Sequence, residues 1–426
     1  LIDDRSPMRI LHCADLHIDS PLTGLSRYEG FPAEEVRGAT RRAVQNLVDF
    51  ALDPENRIDV VTVGGDVFDG DWEDADTGLW WNSRLGELAE ADIEVFVVHG
   101  NHDAASRITT RIAAPDGVHV FGHDRPTSIE AQHVDLIVHG QSYQHAVTNE
   151  DLGSAYPDAR PGRFNMGLLH TSLDGRPGHQ PYAPCTAVGL AAKGYQLWGL
   201  GHIHLRDDSI EAGGSRFIFP GNVQGRHAKE TGPKGAVVIT VEDNRISDVE
   251  FVPFDVVRWT VAQIDISGLD DRDQVRAAVR DHVYSAATGV DTVAVRVELT
   301  GAGPLHGEFA DSTAELELQL RADLSVLSDL RAGLERVKVR TTAPRTETLE
   351  TSRAVQELRA FVQRTLDDPE RLAALAAELA PAAQKLAAFD ARLAERDWIS
   401  RIGSVETVRE ELEGALELLI TQIGAK

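Results

Sequence analysis

Short apolar runs alternate with longer mixed segments through the first 255 residues. Arg9–Cys13 (RILHC), Asp59–Val63 (DVVTV), Ile93–Val98 (IEVFVV), Asn165–Leu169 (NMGLL) and Gln196–Leu200 (QLWGL) are each short, apolar and followed by polar or glycine residues. This pattern predicts buried strands. Between the first two, Ala33–Leu52 places Val36, Ala43, Leu47 and Phe50 at helical spacing, and Thr77–Ala91 reads as a second helix. Strand–helix–strand alternation predicts a layered α/β domain. Phe217–Phe219, Ala236–Val241 and Val249–Val252 read as added strands that close it.

The texture changes around Phe254–Thr260. Thr260–Ile266 reads as a strand, Asp271–Ala287 as a helix, Thr292–Thr300 as a strand, Ala314–Leu327 as a helix and Arg336–Arg340 as a strand, which together predict a small α+β domain. From Thr348 the pattern is helical. Asp368-Pro369 supplies an N-cap and a proline at the first helical position, and Pro381 is expected to open or kink another helix. Gly403-Ser404 precedes a last helix whose Val405, Val408, Leu412, Leu416, Leu419 and Ile423 form one apolar stripe. The expected divisions are 8–255, 256–345 and 346–426.

Composition narrows the class. At ~100–200 residues per domain, 426 residues suggest two to four domains. With 42% hydrophobic and 26% charged residues, disorder is excluded as the main theme. No apolar run approaches the ~18–20 residues of a membrane span, so no membrane association is expected. Leu1–Pro7 is acidic, precedes Met8 and is expected to be an appended segment. Cys13 and Cys185, the two cysteines, exclude a disulfide framework and a Cys-rich zinc site. They fit a reducing compartment, and the expected location is the cytoplasm.

Charge and histidine are unevenly spread. The net charge is −26, and residues 1–255 hold 39 acids against 21 bases. Such a balance counts against a protein that grips nucleic acid by its own surface. It does not count against a nuclease that neutralises its substrate with metal ions. Fourteen of the sixteen histidines precede residue 255, so the chemistry belongs to the first region.

Each of the five strands there ends in a polar cluster: Asp15-Leu16-His17, Gly65-Asp66-Val67-Phe68-Asp69, Gly100-Asn101-His102-Asp103, His170, and Gly201-His202-Ile203-His204. In open α/β sheets ligands gather beyond the carboxyl ends of the strands, so the clusters can converge. Carboxylate, carboxamide and imidazole without thiolate suit Mn²⁺, Mg²⁺, Fe²⁺ or Zn²⁺. The donors suffice for two ions, with glycine-flanked Asp66 as the expected bridge. Such a pair activates water and stabilises displacement at phosphorus. A lone Asp-x-His is weak; the ordered set is hard to explain as satisfied core polars. His12, His99, His119, His123, His133, His139, His145, His179 and His227 lack this context and read as ordinary histidines.

In that order, D-x-H, G-D-x-x-D, G-N-H-D, a lone His and G-H-x-H resemble the calcineurin-like metallophosphoesterase superfamily. RILHCADLHIDSPL, GDVFD, GNHD, GHIH and Phe219-Pro220-Gly221-Asn222 are similar to the SbcD-type DNA repair exonucleases, the nuclease partners of SMC-like ATPases, and most of all to their YhaO-like branch. The superfamily motifs span about residues 8–222, and the subfamily likeness extends to about 345. The resemblance implies a four-layer α/β/β/α sandwich for 8–255, an α+β cap and a helical C-terminal region. It implies two divalent ions, most simply Mn²⁺. Asp15, His17 and His204 would hold the first, Asn101, His170 and His202 the second, and Asp66 both. His102 matches the catalytic histidine. It can stabilise phosphoryl charge or protonate the leaving 3′-oxygen. Asp69 stands where some relatives have histidine and is expected to support the metal ligands; Asp103 either orients His102 or is a solvated loop acid.

DNA and an SMC-like coiled-coil ATPase are the implied partners, and a homodimer is left open. Arg107, Arg111, Arg226, Lys229 and Lys234 are candidate phosphate contacts, against the ordinary reading of each as solvated charge. The 405–423 stripe is expected first to pack on the chain's own helices, with docking to the ATPase as the alternative. The leading function is therefore an Mn²⁺-dependent exonuclease, with endonuclease activity left open. A phosphoesterase for a small molecule or phosphoprotein is the alternative, and a non-enzymatic scaffold is disfavoured because every expected ligand is present.

Overall fold

The computed structural model describes residues 7–20, 36, 38–69, 75–105, 113–175, 182–344, 353–389 and 404–424. In chain order its elements begin with β1 (Met8–Cys13), α1 (Ala39–Leu52), β2 (Val60–Val63), α2 (Ala75–Glu90), β3 (Glu94–Val97) and α3 (Asn101–Ala105). β4 (Val118–Val120), β5 (Thr127–Glu130), β6 (Leu136–Gly140), β7 (Phe164–His170), α4 (Ala187–Ala191) and β8 (Leu197–Gly201) follow. β9 (Asp207–Ala212), β10 (Ser215–Phe219), β11 (Gly235–Glu242) and β12 (Arg245–Pro253) complete the layered region. Two six-stranded sheets result, in the orders β12-β11-β1-β2-β3-β4 and β5-β6-β7-β8-β10-β9.

The alternation of side chains along the strands builds the layers. In β1, Leu11 and Cys13 point to one face and join Val61, Val63, Val95 and Val97 under α1 and α2, where Ala43, Val44, Leu47, Val48, Leu85 and Leu88 close the core. On the opposite face, Ile10, Val60 and Phe96 meet Val138, Phe164, Met166, Leu168, Leu197 and Ile218 of the second sheet. The far side of that sheet packs Trp198, Leu200, Phe217 and Phe219 on Leu190 and Ala191 of α4. The order helix, sheet, sheet, helix is the expected metallophosphoesterase sandwich.

His12 lies on the inter-sheet face of β1. Its Nδ1 is 2.9 Å from Thr62 Oγ1 and its Nε2 3.2 Å from Leu200 O. It ties one sheet to the other, which accounts for a fully buried histidine with no place in the metal cluster. Burial pushes its pKa down to about 4.

Two compact units are present. One runs to Thr260 and takes in 283–295 and 327–335; the other comprises 261–282, 296–326 and the chain from Arg336. β13 (Val257–Asp265), β14 (Thr292–Thr300) and β15 (Arg331–Val339) form a three-stranded sheet in that order, accompanied by α5 (Arg272–Ala286), α6 (His306–Asp311) and α7 (Thr313–Ser325). β15 begins five residues before the expected strand, because Arg331–Glu335 lacks a continuous apolar run. In the second unit, α8 (Arg353–Leu366), α9 (Pro369–Phe389) and α10 (Val405–Gly424) pack together. The cap of α9 is Asp368, whose carboxylate accepts from the backbone N–H of Glu370 and Arg371. Pro381 lies inside α9 and does not open a new helix. Val408, Leu412 and Leu416 of the α10 stripe join Val362, Leu366, Leu372 and Ala376 of α8 and α9. This middle part of the stripe packs on the chain's own helices, while Val405 and Leu419 are exposed. Among the described residues no helix is long and apolar enough to cross a membrane.

Candidate metal centre

The carboxyl ends of β1, β2 and β3 lie side by side in one sheet, and those of β7 and β8 in the other. The loop after β1 runs along the loop after β2: Asp15, His17 and Ile18 donate backbone N–H bonds to Gly65 O, Asp66 O and Val67 O at 2.9, 3.0 and 2.9 Å. Asp15, His17, Asp66 and His202 all adopt positive φ, at 52°, 44°, 52° and 98°. Such conformations are costly for non-glycine residues and persist where surrounding contacts impose them, commonly at functional sites. The close approach also requires glycine at position 100, where a Cβ would stand 2.3 Å from Asp66 Oδ1.

The donor atoms converge in three overlapping groups, one of which is His17, Asp69 and His102. Donor atoms of Asp15, His17 and His204 lie within 4.8 Å of one another, as do those of Asp15, Asp66 and His170. His17 Nε2 is 3.3 Å from His204 Nε2, which is 3.8 Å from Asp15 Oδ1. His170 Nε2 is 3.0 Å from Asn101 Oδ1 and 3.4 Å from Asp66 Oδ2. The His202 ring stands 5.3 Å from that of His170, and its backbone N–H donates to the Asp15 carboxylate.

The Nδ1 partners fix which ring atom of each histidine is turned toward the cluster. His170 Nδ1 faces Gly64 O at 2.9 Å, and His204 Nδ1 faces Glu230 Oε1 at 2.6 Å. Both partners accept, so each Nδ1 carries a proton, and Nε2 is the ring atom turned toward the cluster. These Nε2 atoms face the oxygens of Asn101, Asp66 and Asp15 and the Nε2 of His17. This set of buried imidazole, carboxylate and carboxamide donors fits divalent cations, which would take the place of the protons these groups share. Burial pushes Asp15 up to about 6. Asp66 is also buried, but His170 and His17 outweigh that effect and hold it well below the usual carboxylate range. Despite burial, Asp66 drives His170 up to about 9, whereas burial pushes His17 down to about 3.

His102 sits at the mouth of the cluster, 39% exposed, with Nδ1 2.9 Å from Asp69 Oδ1. Its pKa is raised by that bond, against partial burial. Asp69 also accepts from Ser20 Oγ at 2.6 Å and lies 3.5 Å from Arg226 Nη1. It thus backs His102 more closely than it backs His17, 3.6 Å away. Asp103 is not a solvated loop acid. Its carboxylate is fully buried and accepts the backbone N–H groups of Val67, Phe68 and Gly100 at 2.9–3.1 Å, pinning the two loops together.

The basic candidates separate. The Arg226 guanidinium, 14% exposed, lies between Asp69 and Glu230 at the edge of the cluster. Lys229 is exposed. Lys234 is buried and donates from Nζ to His204 O at 2.9 Å, so it supports the loop and presents no charge to a phosphate. Arg107 and Arg111 lie outside the described residues. Glu230 was not anticipated. It sits 26 residues beyond its histidine in an aperiodic loop, and its only signal was an acid among the basic residues after Asn222.

Known families agree with this geometry. The model for calcineurin-like phosphoesterases matches residues 8–206, and that for the middle domain of metallophosphoesterase YhaO matches 259–342. The chain is 32% identical over 301 residues to the uncharacterized metallophosphoesterase YhaO of Bacillus subtilis (strain 168), covering 70% of this chain and 72% of that one. It is 21% identical over 371 residues to the DNA double-strand break repair protein Mre11 of Methanopyrus kandleri, covering 78% of each. With a component of the nuclease SbcCD of Rhodobacter capsulatus it shares 33% identity over 119 residues, 27% of each chain. Sandwich, donor set and matched regions agree: the chain belongs to the calcineurin-like metallophosphoesterases and, among them, to the YhaO-like family.

Proposed function

We propose that this hydrolase is an Mn²⁺-dependent phosphodiesterase that cuts DNA, chiefly as an exonuclease, in concert with an SMC-like ATPase. The observation that carries the reading is the convergence of Asp15, His17, Asp66, Asn101, His170, His202 and His204 beside an Asp69–His102 pair. Likeness to a DNA double-strand break repair protein and to a nuclease component supports the choice of DNA. In this reading residues 8–255 form the nuclease domain, 256–345 the cap that presents DNA and 346–426 a helical region that contributes to partner docking. The site of action is the cytoplasm.

Asp15, His17, His204 and Asp66 would hold one ion, and Asp66, Asn101, His170 and His202 the other. When bound, the pair supplies an activated water and charge compensation for the phosphorane-like transition state. The chain's own groups do the rest. Asp69 holds His102 Nδ1, which leaves Nε2–H to serve the substrate. As the P–O3′ bond breaks, Nε2 delivers its proton to the leaving oxygen. Arg226, braced by two carboxylates, meets a non-bridging phosphate oxygen.

The test is a substrate panel with Mn²⁺: linear duplex, single strand, hairpin, cyclic nucleotide and phosphopeptide. Cleavage of the DNA substrates that is lost in His102→Ser is expected. Turnover of only the cyclic nucleotide or phosphopeptide would overturn the DNA reading and favour the small-substrate alternative, with which the net charge of −26 agrees.

A further inference from the structure

The two histidines that turn Nε2 toward the cluster are oriented by different means. His170 leans on a neutral backbone carbonyl, Gly64 O. His204 leans on a charged carboxylate: Glu230 Oε1 lies 2.6 Å from its Nδ1. We infer that Glu230 is a positioning residue that fixes the tautomer and orientation of His204 and thereby sets the affinity of one metal position, the one served by Asp15, His17 and His204, independently of the other. This inference rests on the two-metal reading.

Glu230 is built into place. It is 6% exposed, and its Oε2 accepts from Asn222 Nδ2 at 3.0 Å and from the backbone N–H of Arg226 at 2.7 Å. A buried carboxylate without such partners would be costly; here both oxygens are engaged, and Oε1 makes its shortest contact with His204, with Arg226 Nη2 and His227 Nε2 farther off at 3.6 and 3.7 Å. The same loop grips His204 a second time through Lys234 Nζ on its carbonyl. The loop is itself anchored. Gln224 Oε1 accepts from the backbone N–H of Val256 and Val257 at 2.9 and 3.2 Å, and Lys234 N–H donates to Asp255 Oδ1 at 3.2 Å. A carboxylate on the far nitrogen also makes an imidazole a stronger ligand, and loss of such a partner commonly costs about 10–100-fold in metal affinity. A neutral carbonyl gives His170 orientation with less of this gain.

The test is Mn²⁺ titration of metal-free protein, with free ion followed by electron paramagnetic resonance, on the parent, Glu230→Gln and Glu230→Ala. Glutamine keeps the shape and an acceptor oxygen but not the charge, so it distinguishes ligand tuning from loss of packing. Two Mn²⁺ ions per parent chain are expected. Glu230→Gln should weaken one of them about 10-fold and leave the other within about twofold, and Glu230→Ala should extend the loss toward about 100-fold. Two ions bound by Glu230→Gln with parent affinities, or both weakened alike, would overturn the inference. A parent that takes up fewer than two ions would overturn the two-metal reading itself, and this inference with it.

Discussion

Replacing Asp69 by asparagine removes the charge behind His102 while keeping its size. In the structure the carboxylate is 2.9 Å from His102 Nδ1, and the bond raises the histidine's pKa. A hydrogen bond to a charged group contributes about 1.5–3 kcal/mol. If that energy is expressed in the transition state, kcat falls about 10- to 150-fold, at about 1.4 kcal/mol per factor of ten. Because Asp69 lies farther from His17, at 3.6 Å, metal content should stay at the parent level. The assay compares two phosphodiesters with Mn²⁺. One has a nucleoside 3′-oxygen as leaving group; the other releases p-nitrophenolate, which departs without a proton. The loss should be large for the first and several-fold smaller for the second. Equal losses on both substrates, or parent kcat on the first, would refute the assignment of Asp69 and His102 to leaving-group protonation. Loss of a bound ion would show Asp69 acting on the metal ligands instead.

Two further outcomes concern stability. Asp103→Asn withdraws a buried carboxylate from three backbone N–H groups and should cost on the order of 3 kcal/mol in urea unfolding; a change below about 0.5 kcal/mol would show that the loops do not need this pin. His12 is held at a pKa of about 4 by burial, below its unfolded value, so the stability linked to its neutral form is complete above about pH 6.5 and is lost as pH falls through 4. The gap in unfolding free energy between metal-free parent and His12→Gln should therefore narrow by about 3 kcal/mol from pH 7 to pH 4, and a constant gap would contradict the role of His12 between the sheets.

Much of the site could be read from residue order, because each of its clusters immediately follows an apolar strand. Asp15, Asp66, Asn101, His170 and His202 needed only the parallel arrangement of β1, β2 and β3, and of β7 and β8, to meet. The supporting groups were less legible. Asp103 sits beside His102 in sequence, yet its carboxylate turns inward to backbone N–H groups, a choice set by the loop and not by residue type. Glu230 and Lys234 act through a loop anchored by Gln224 and Asp255, and no periodic pattern marks such a loop. Lys234 shows the limit of reading charge from sequence: its buried ammonium serves a carbonyl of its own chain. The short edge strands β4, β5 and β9 are half-exposed and lack the apolar runs that revealed the central ones. The α10 stripe carried its period clearly, but only the neighbouring α8 and α9 decide which surface it covers.

The central claim is that these side chains enclose two cations around Asp66. A crystal grown with Mn²⁺ and measured above and below the manganese absorption edge tests it most directly. The expected result is two anomalous peaks about 3.5–4 Å apart, one among Asp15, His17 and His204, the other among Asn101, His170 and His202, with Asp66 between them. A single peak, peaks elsewhere, or none at saturating Mn²⁺ would contradict the account.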